Sequence, residues 1–249
     1  MKTLQFIVCL LLMFGCSKSG TPVTNSVDMP KDTTSNNPPV VSQPTFDLDV
    51  NHPPKFVNYN YIETDSIEKV SLFRSGIGHD YSDDFESCRS MKHYFMPYAG
   101  DWSKIKIFSP VKGTVVRKFD EWAGSQIHIQ SDEYPAFTFR IFHVHLNDNI
   151  QEGTKLQAGQ QIGTHISSET MSDIAVAVRT SVDGPNSVEK GLRLISFFQV
   201  MSDSLFNSFG AASPDEFIIA ADARDSDPIE CDGEAFGTTG TLENWKFLN

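Results

Sequence analysis

The stretch FTFRIFHVHL, Phe137 to Leu146, decides the fold class. Its Phe, Ile and Val residues alternate with Thr, Arg and His, the period-2 pattern of a half-buried strand. Working outward toward the N-terminus, SQIHIQS (Ser125–Ser131), GTVVRKF (Gly113–Phe119) and KIKIFSP (Lys104–Pro110) are short runs of the same kind, punctuated by Pro110, Gly113, Gly124 and Pro135. Toward the C-terminus, EGTKLQAGQQIG (Glu152–Gly163) sets Gly153, Gly159 and Gly163 at turn positions around Leu156 and Ile162, and SDIAVAV (Ser172–Val178) gives one more strand. Strands at close spacing without intervening helices predict a mainly β, antiparallel sheet or sandwich over residues 55–179.

Beyond Arg179 the pattern changes. Phe198, Met201, Leu205 and Phe209 fall at helical spacing, and Ser213-Pro214-Asp215-Glu216 carries the N-cap, the N1 proline and the acid of a helix start. A short α-helical C-terminal extension, residues 180–249, is therefore expected to pack on the same domain, with its aromatics in the core.

The 249 residues are 39% hydrophobic and 11% aromatic, enough for one core once a leader and a linker are subtracted. A net charge of −12 and a pI near 4.9 argue against a nucleic-acid footprint or a polybasic membrane patch. The chain opens MKTLQFIVCLLLMFGC: Lys2, an apolar run from Leu4 to Phe14, then Gly15 before Cys16. This reads as a signal peptide over residues 1–16, since the apolar run is shorter than the about 20 residues of a membrane span. Residues 17–54, rich in Ser, Thr, Asn and Pro, read as a tether with a reach of about 35 Å. Of the four cysteines, Cys9 lies in the leader and Cys16 at its end; Cys88 and Cys231 remain, an even pair for an oxidising compartment. A disulfide between them would close roughly 140 residues and contribute about 4 to 5 kcal/mol; two buried thiols are the alternative.

Met13-Phe14-Gly15-Cys16 resembles a bacterial lipoprotein signal, which implies export, a lipidated Cys16 and a membrane anchor facing the periplasm or cell surface. Met13 and Phe14 depart from the commoner residues of that signal.

The stretch GHDYSDDFE, Gly78–Glu86, puts His79 and Asp83 at a spacing that can hold two ligands of one metal ion. His143 and His145 share a strand face by the period-2 rule. The order Gly78-His79-x3-Asp83, SPVKGTVV, a strand ending His145-Leu146 and EGTKLQAGQQIG is similar to the lysostaphin-type, or LytM-like, zinc endopeptidases that cut peptide cross-bridges of bacterial walls. The similarity runs from about residue 76 to 178 and implies their β fold, built on a duplicated hybrid motif. It implies zinc on His79 and Asp83 and a catalytic role for His145, with His143 standing where tyrosine is usual. In the last motif strand Asp173 occupies the place of a catalytic histidine and Ala175 that of the third zinc ligand.

A catalytic zinc needs about three protein ligands and an open position for water. A methyl group donates nothing, so two ligands would hold zinc weakly or not at all. The expectation is a catalytically degenerate envelope lipoprotein that binds peptidoglycan peptide or regulates a cell-wall hydrolase. One alternative is an active zinc endopeptidase in which His143 or His145 completes the ligand set and Asp173 serves as base; another is a structural or adhesion module. CRSMKHYFMP, Cys88–Pro97, concentrates Arg89, Lys92, His93 and Tyr94 and reads as an anionic or glycan contact or a disulfide-pinned structural segment. His52, His128 and His165 have no motif partner.

Overall fold

The computed structural model describes residues 43–168, 170–186 and 191–248; the expected signal peptide, Cys16 and the expected tether up to residue 42 lie outside them. The described strands are β1 (Ile67–Ser71), β2 (His93–Pro97), β3 (Lys106–Phe108), β4 (Gly113–Glu121), β5 (Gly124–Ser131), β6 (Phe137–Leu146), β7 (Lys155–Leu156), β8 (Gln161–His165), β9 (Ser172–Arg179), β10 (Leu192–Ile195), β11 (Cys231–Asp232), β12 (Ala235–Phe236) and β13 (Trp245–Phe247). Their helical companions are α1 (Asp203–Phe206), α2 (Ala221–Ser226) and a few 3-10 turns. Eleven strands form one sheet with the path β13-β1-β2-β9-β6-β5-β4-β7, to which β10 adds beside β9 and β8 links β3 to β6. Every pairing between these strands is antiparallel, so the described residues are mainly β with short helices, as the alternating runs predict.

β6 holds the sheet together by changing partners. Phe137 to Phe142 pair with β9, whereas Val144 to Leu146 pair with β8, and β5 follows on the other side with a register shift between Ser125 and Ile127. The switch falls at His143, whose φ of 60° is a left-handed value that non-glycine residues adopt at some strain. The bulge breaks the period-2 rule: His143 and His145 do not share a face, for His143 is half-buried and His145 exposed.

β9 is buried from Ser172 to Val178, as a strand covered on both faces must be. Ile174, Val176 and Val178 enter the main core with Phe137, Phe139 and Phe197. Ala175 and Ala177 point the other way into a smaller cluster with Phe73, Met91, Phe142, Leu192 and Leu194.

The C-terminal part is integral to this core. Phe198, Phe206, Phe209 and Phe217 lie in the main cluster, with the Phe198 and Phe217 rings stacked 3.7 Å apart. The helix expected over Phe198–Phe209 is broken into pieces: a 3-10 turn Phe197–Val200 with a Ser196 capping box, α1 restarted by a Ser202 cap, and a further turn Asn207–Phe209. Each serine side chain captures an amide that a continuous helix would have bonded internally. Ser213 and Pro214 start a turn as their sequence suggests. The tether read to residue 54 is docked over its last residues: the Phe46 N–H donates to the Arg179 carbonyl at 2.9 Å, and the Phe46 ring packs edge-on to Phe137. Cys88 and Cys231 are joined in a disulfide. Among the described residues no helix is long and apolar enough to cross a membrane.

Candidate functional site

One face of β4, β5, β6 and β9 lines a cleft of about 1130 Å³. The alternation of the strands decides what it shows: Gln126 and His128 from β5, Thr138, Arg140 and Phe142 from β6, and Arg117 and Phe119 from β4. The floor carries Arg117 and Arg140, while Asp80, Glu121 and Glu234 also line the cleft, and Trp122, 81% exposed at the β4–β5 turn, stands at its edge. His128 is held down to about 3 by burial first and by the charges of Arg140 and Arg117 next, so it is neutral and presents a lone pair or an N–H, not a charge.

His79 enters the end of this cleft through Gly78. Gly78 has φ 80°, and a Cβ there would fall 2.0 Å from the Tyr94 hydroxyl oxygen, so only glycine lets the chain pass over that ring. His79 Nδ1–H donates to the Asp80 carbonyl at 2.9 Å, which leaves Nε2 as acceptor. Its partner is the Lys92 ammonium at 3.2 Å. The same ammonium lies 2.6 Å from Asp173 Oδ2, both side chains being about 1% exposed or less. The rings of Phe142, Tyr81 and Tyr94 enclose it with centroids at 4.1, 4.8 and 4.9 Å. Asp173 stands opposite Tyr94 on β2 and Phe142 on β6. Burial, and then the Asp173 carboxylate, raise the Tyr94 hydroxyl well above the usual phenol value.

The bulge of β6 brings His143 to the same carboxylate. Its Nε2 is 3.6 Å from Asp173 Oδ1, and its Nδ1 donates to the Ala123 carbonyl at 3.1 Å with Glu121 Oε2 at 3.7 Å. His79, His143 and Asp173, three of the residues singled out from the sequence, thus meet around Lys92, while His145 pairs with Thr164 on the exposed side of the bulge. Lys92 was the component that sequence reasoning did not place there. The available signal was a lysine set between Met91 and the apolar run Tyr94-Phe95, where an ordinary surface lysine is out of pattern.

Asp83 is elsewhere. Its Oδ1 accepts from the amides of Phe85 and Glu86, its Oδ2 accepts from the Leu194 amide at 2.9 Å, and Arg193 Nε is 3.6 Å away. Burial raises its carboxyl above the usual value against these amides and the arginine. His165 is also structural: it is buried, its Nε2 accepts from the Ser172 amide at 3.0 Å, and burial followed by the nearby His143 lowers it to about 4.

These donors do not fit a zinc ion of the kind the resemblance implies. The lone pair of His79 is met by an ammonium, both oxygens of Asp83 are bonded to backbone amides, and Ala175 packs its methyl in an apolar cluster. A cation between His79 and Asp173 would have to displace Lys92, whose own charge repels it. Among the described residues no group of three or more His, Cys, Asp or Glu side chains is placed to hold a metal.

No protein-family model and no curated protein matches the chain. Among solved structures it is similar to a chain described as the glycyl-glycine endopeptidase LytM of Ruminococcus gnavus, at 13% identity and a TM-score of 0.33 over 43% of this chain and 44% of that one. The match therefore spans less than half of the endopeptidase chain. It is also similar to a chain of the SpoIIQ–SpoIIIAH pore-forming complex, at 12% identity and a TM-score of 0.38, over 64% of this chain and 99% of that one.

Proposed function

We propose that this protein is an exported, lipid-anchored envelope protein whose LytM-like domain has lost hydrolysis and keeps the groove to bind cell-wall peptide or a wall hydrolase. The observation that carries this reading is Lys92, which fills the space between His79 and Asp173 that a catalytic cation would need. A groove with arginines, glutamines and an exposed tryptophan above it suits an extended peptide bearing carboxylates, because guanidinium groups pair with carboxylates in fork geometry and aromatic rims cover apolar parts. Cys16 as lipid anchor and the segment between it and the docked Phe46 as leash would hold such a groove close to the membrane surface.

The test is to mix the natively purified protein with soluble muropeptides and follow binding by calorimetry, products by chromatography and metal by elemental analysis. The expected outcome is binding without cleavage and without stoichiometric zinc, weakened about tenfold by Arg117→Glu through loss of one charge-assisted contact. Stoichiometric zinc together with cleavage abolished by His79→Ala would overturn it in favour of an active endopeptidase.

A further inference from the structure

The Lys92 cluster holds more than an ion pair. A nucleophilic amine and a carboxyl group face each other at 2.6 Å, both buried, on segments that adjoin in the sheet: Lys92 immediately precedes β2, and Tyr94 of β2 stands opposite Asp173 of β9. His79 Nε2 lies on the amine side at 3.2 Å with its lone pair directed to Nζ, and His143 Nε2 lies on the carboxyl side at 3.6 Å from Oδ1. The Phe142, Tyr81 and Tyr94 rings enclose the amine. Neither oxygen of the buried carboxylate has a well-formed hydrogen bond among the described residues, the ammonium and the more distant His143 being close contacts only, in contrast to Asp83 with its three amides. A buried polar group held so sparingly calls for an explanation, and chemistry is one.

We propose that Lys92 and Asp173 condense within the folded chain into an amide, an isopeptide cross-link between β9 and the segment leading into β2. One ammonium proton passes to the carboxylate across the 2.6 Å contact, which makes both groups neutral. The amine lone pair attacks Cγ of Asp173, and His79 Nε2 accepts the second proton from the nitrogen. Collapse expels Oδ2 as water, the proton held by His79 being returned to the departing oxygen, while His143, when protonated, steadies the charge that develops on Oδ1. One C–N bond forms and one C–O bond breaks. The two protons lost by nitrogen leave with the oxygen, and nothing is oxidised or reduced. In water the reverse is favoured because hydration stabilises the separated ions. A dry aromatic enclosure removes that stabilisation, and the fixed contact replaces a bimolecular encounter. The inference does not depend on what the cleft binds.

The test is peptide mapping of the natively purified chain after disulfide reduction and tryptic digestion. The expected product is a branched species joining residues 90–104 to residues 156–179, lighter than the sum of its parts by one water, with no cleavage after Lys92. Lys92→Arg and Asp173→Ala should each give only linear peptides. If His79 is the base, His79→Gln should slow the appearance of the branched species after synthesis at least tenfold, whereas a purely structural His79 would leave the time course unchanged. Linear peptides 90–92 and 156–179 from the unaltered protein would overturn the proposal. So would loss of water confined to the Asp173 peptide, the mark of a cyclic imide.

Discussion

The two ends of Gly78–Glu86 belong to regions with opposite hydrogen-bonding habits. Around Asp83 every charge is answered. Glu86 takes Arg74 in a fork at 2.7 and 2.8 Å and Arg89 at 2.9 Å; Arg89 reaches Asp225 at 2.8 Å; Arg193 lies over the Phe85 ring at 4.1 Å; and the Cys88–Cys231 disulfide closes the knot. Burial opposes ionisation of Glu86, but Arg74, Arg89 and Arg193 outweigh it and hold the carboxyl below its usual value. Around His79 the groups are as deeply buried and far less bonded. The difference teaches that an H-x3-D spacing does not make a unit. Saturated groups anchor a fold, whereas sparsely held ones buried beside a cleft are where reactivity or recognition is stored.

The largest expected effect breaks the knot and spares the cleft. Cys88→Ser with Cys231→Ser opens a loop with sequence separation 143 and should lower stability by about 4 to 5 kcal/mol, read by denaturant unfolding. Muropeptide binding should be kept at temperatures where the variant is folded. Asp173→Ala should do nearly as much from the other side, about 3 to 5 kcal/mol, because the Lys92 ammonium is left buried without its counter-charge. Lys92→Met combined with Asp173→Leu should recover the share of that loss due to the unpaired charge and not the share due to the cross-link, so full recovery would count against an amide between the two.

A change of pH sharpens the comparison. His93, next to Lys92, donates through Nδ1 to the Ser71 carbonyl and accepts through Nε2 from Ser196, and burial holds it down to about 4 against an ordinary 6.5. A folded value below the unfolded one means stability is whole above pH 6.5. It is lost as pH falls toward 4, where the unfolded chain takes up a proton that the folded chain refuses. The loss from His93 is on the order of 3 kcal/mol by pH 4, with His165 acting in the same direction, and His93→Gln should flatten that part of the stability–pH curve. Asp83→Asn should cost about 2 kcal/mol by placing an NH2 against one of the amides it now accepts, with the cleft unchanged.

Much of this was legible in the sequence, for stated reasons. Alternation in Phe137–Leu146 and its neighbours marked the strands, but the resemblance paired His79 with Asp83 and gave His145 the catalytic place, so the meeting of His79, His143 and Asp173 around Lys92 was not read as such. Lys92 was legible only as a lysine out of pattern beside an apolar run; its partners His79 and Asp173 lie far off in the chain, and nothing local names them. Nor was the separation of Asp83 from His79 legible, since it depends on an amide of β10 more than a hundred residues later. β13 joins β1 through Lys69–Phe247 and Ser71–Trp245, a closure that short-range periodicity does not show. The helical spacing of Phe198, Met201, Leu205 and Phe209 was real as burial and misleading as continuity, since Ser202 restarts the helix.

The smallest expected effect concerns the two histidines of HVHL. An ordinary strand would aim both into the cleft and make their substitutions comparable. The φ of 60° at His143 separates them. His145→Ala removes an exposed side chain beside Thr164 and should change stability by less than about 0.5 kcal/mol and leave ligand binding untouched. His143→Ala keeps the strained backbone, removes the bond to Ala123 and withdraws the ring from Asp173, so it should cost about 1 to 2 kcal/mol and alter the Lys92–Asp173 chemistry. Equal responses would mean that β6 runs through without its bulge, and the cluster around Lys92 would then have to be rebuilt with His145 in place of His143.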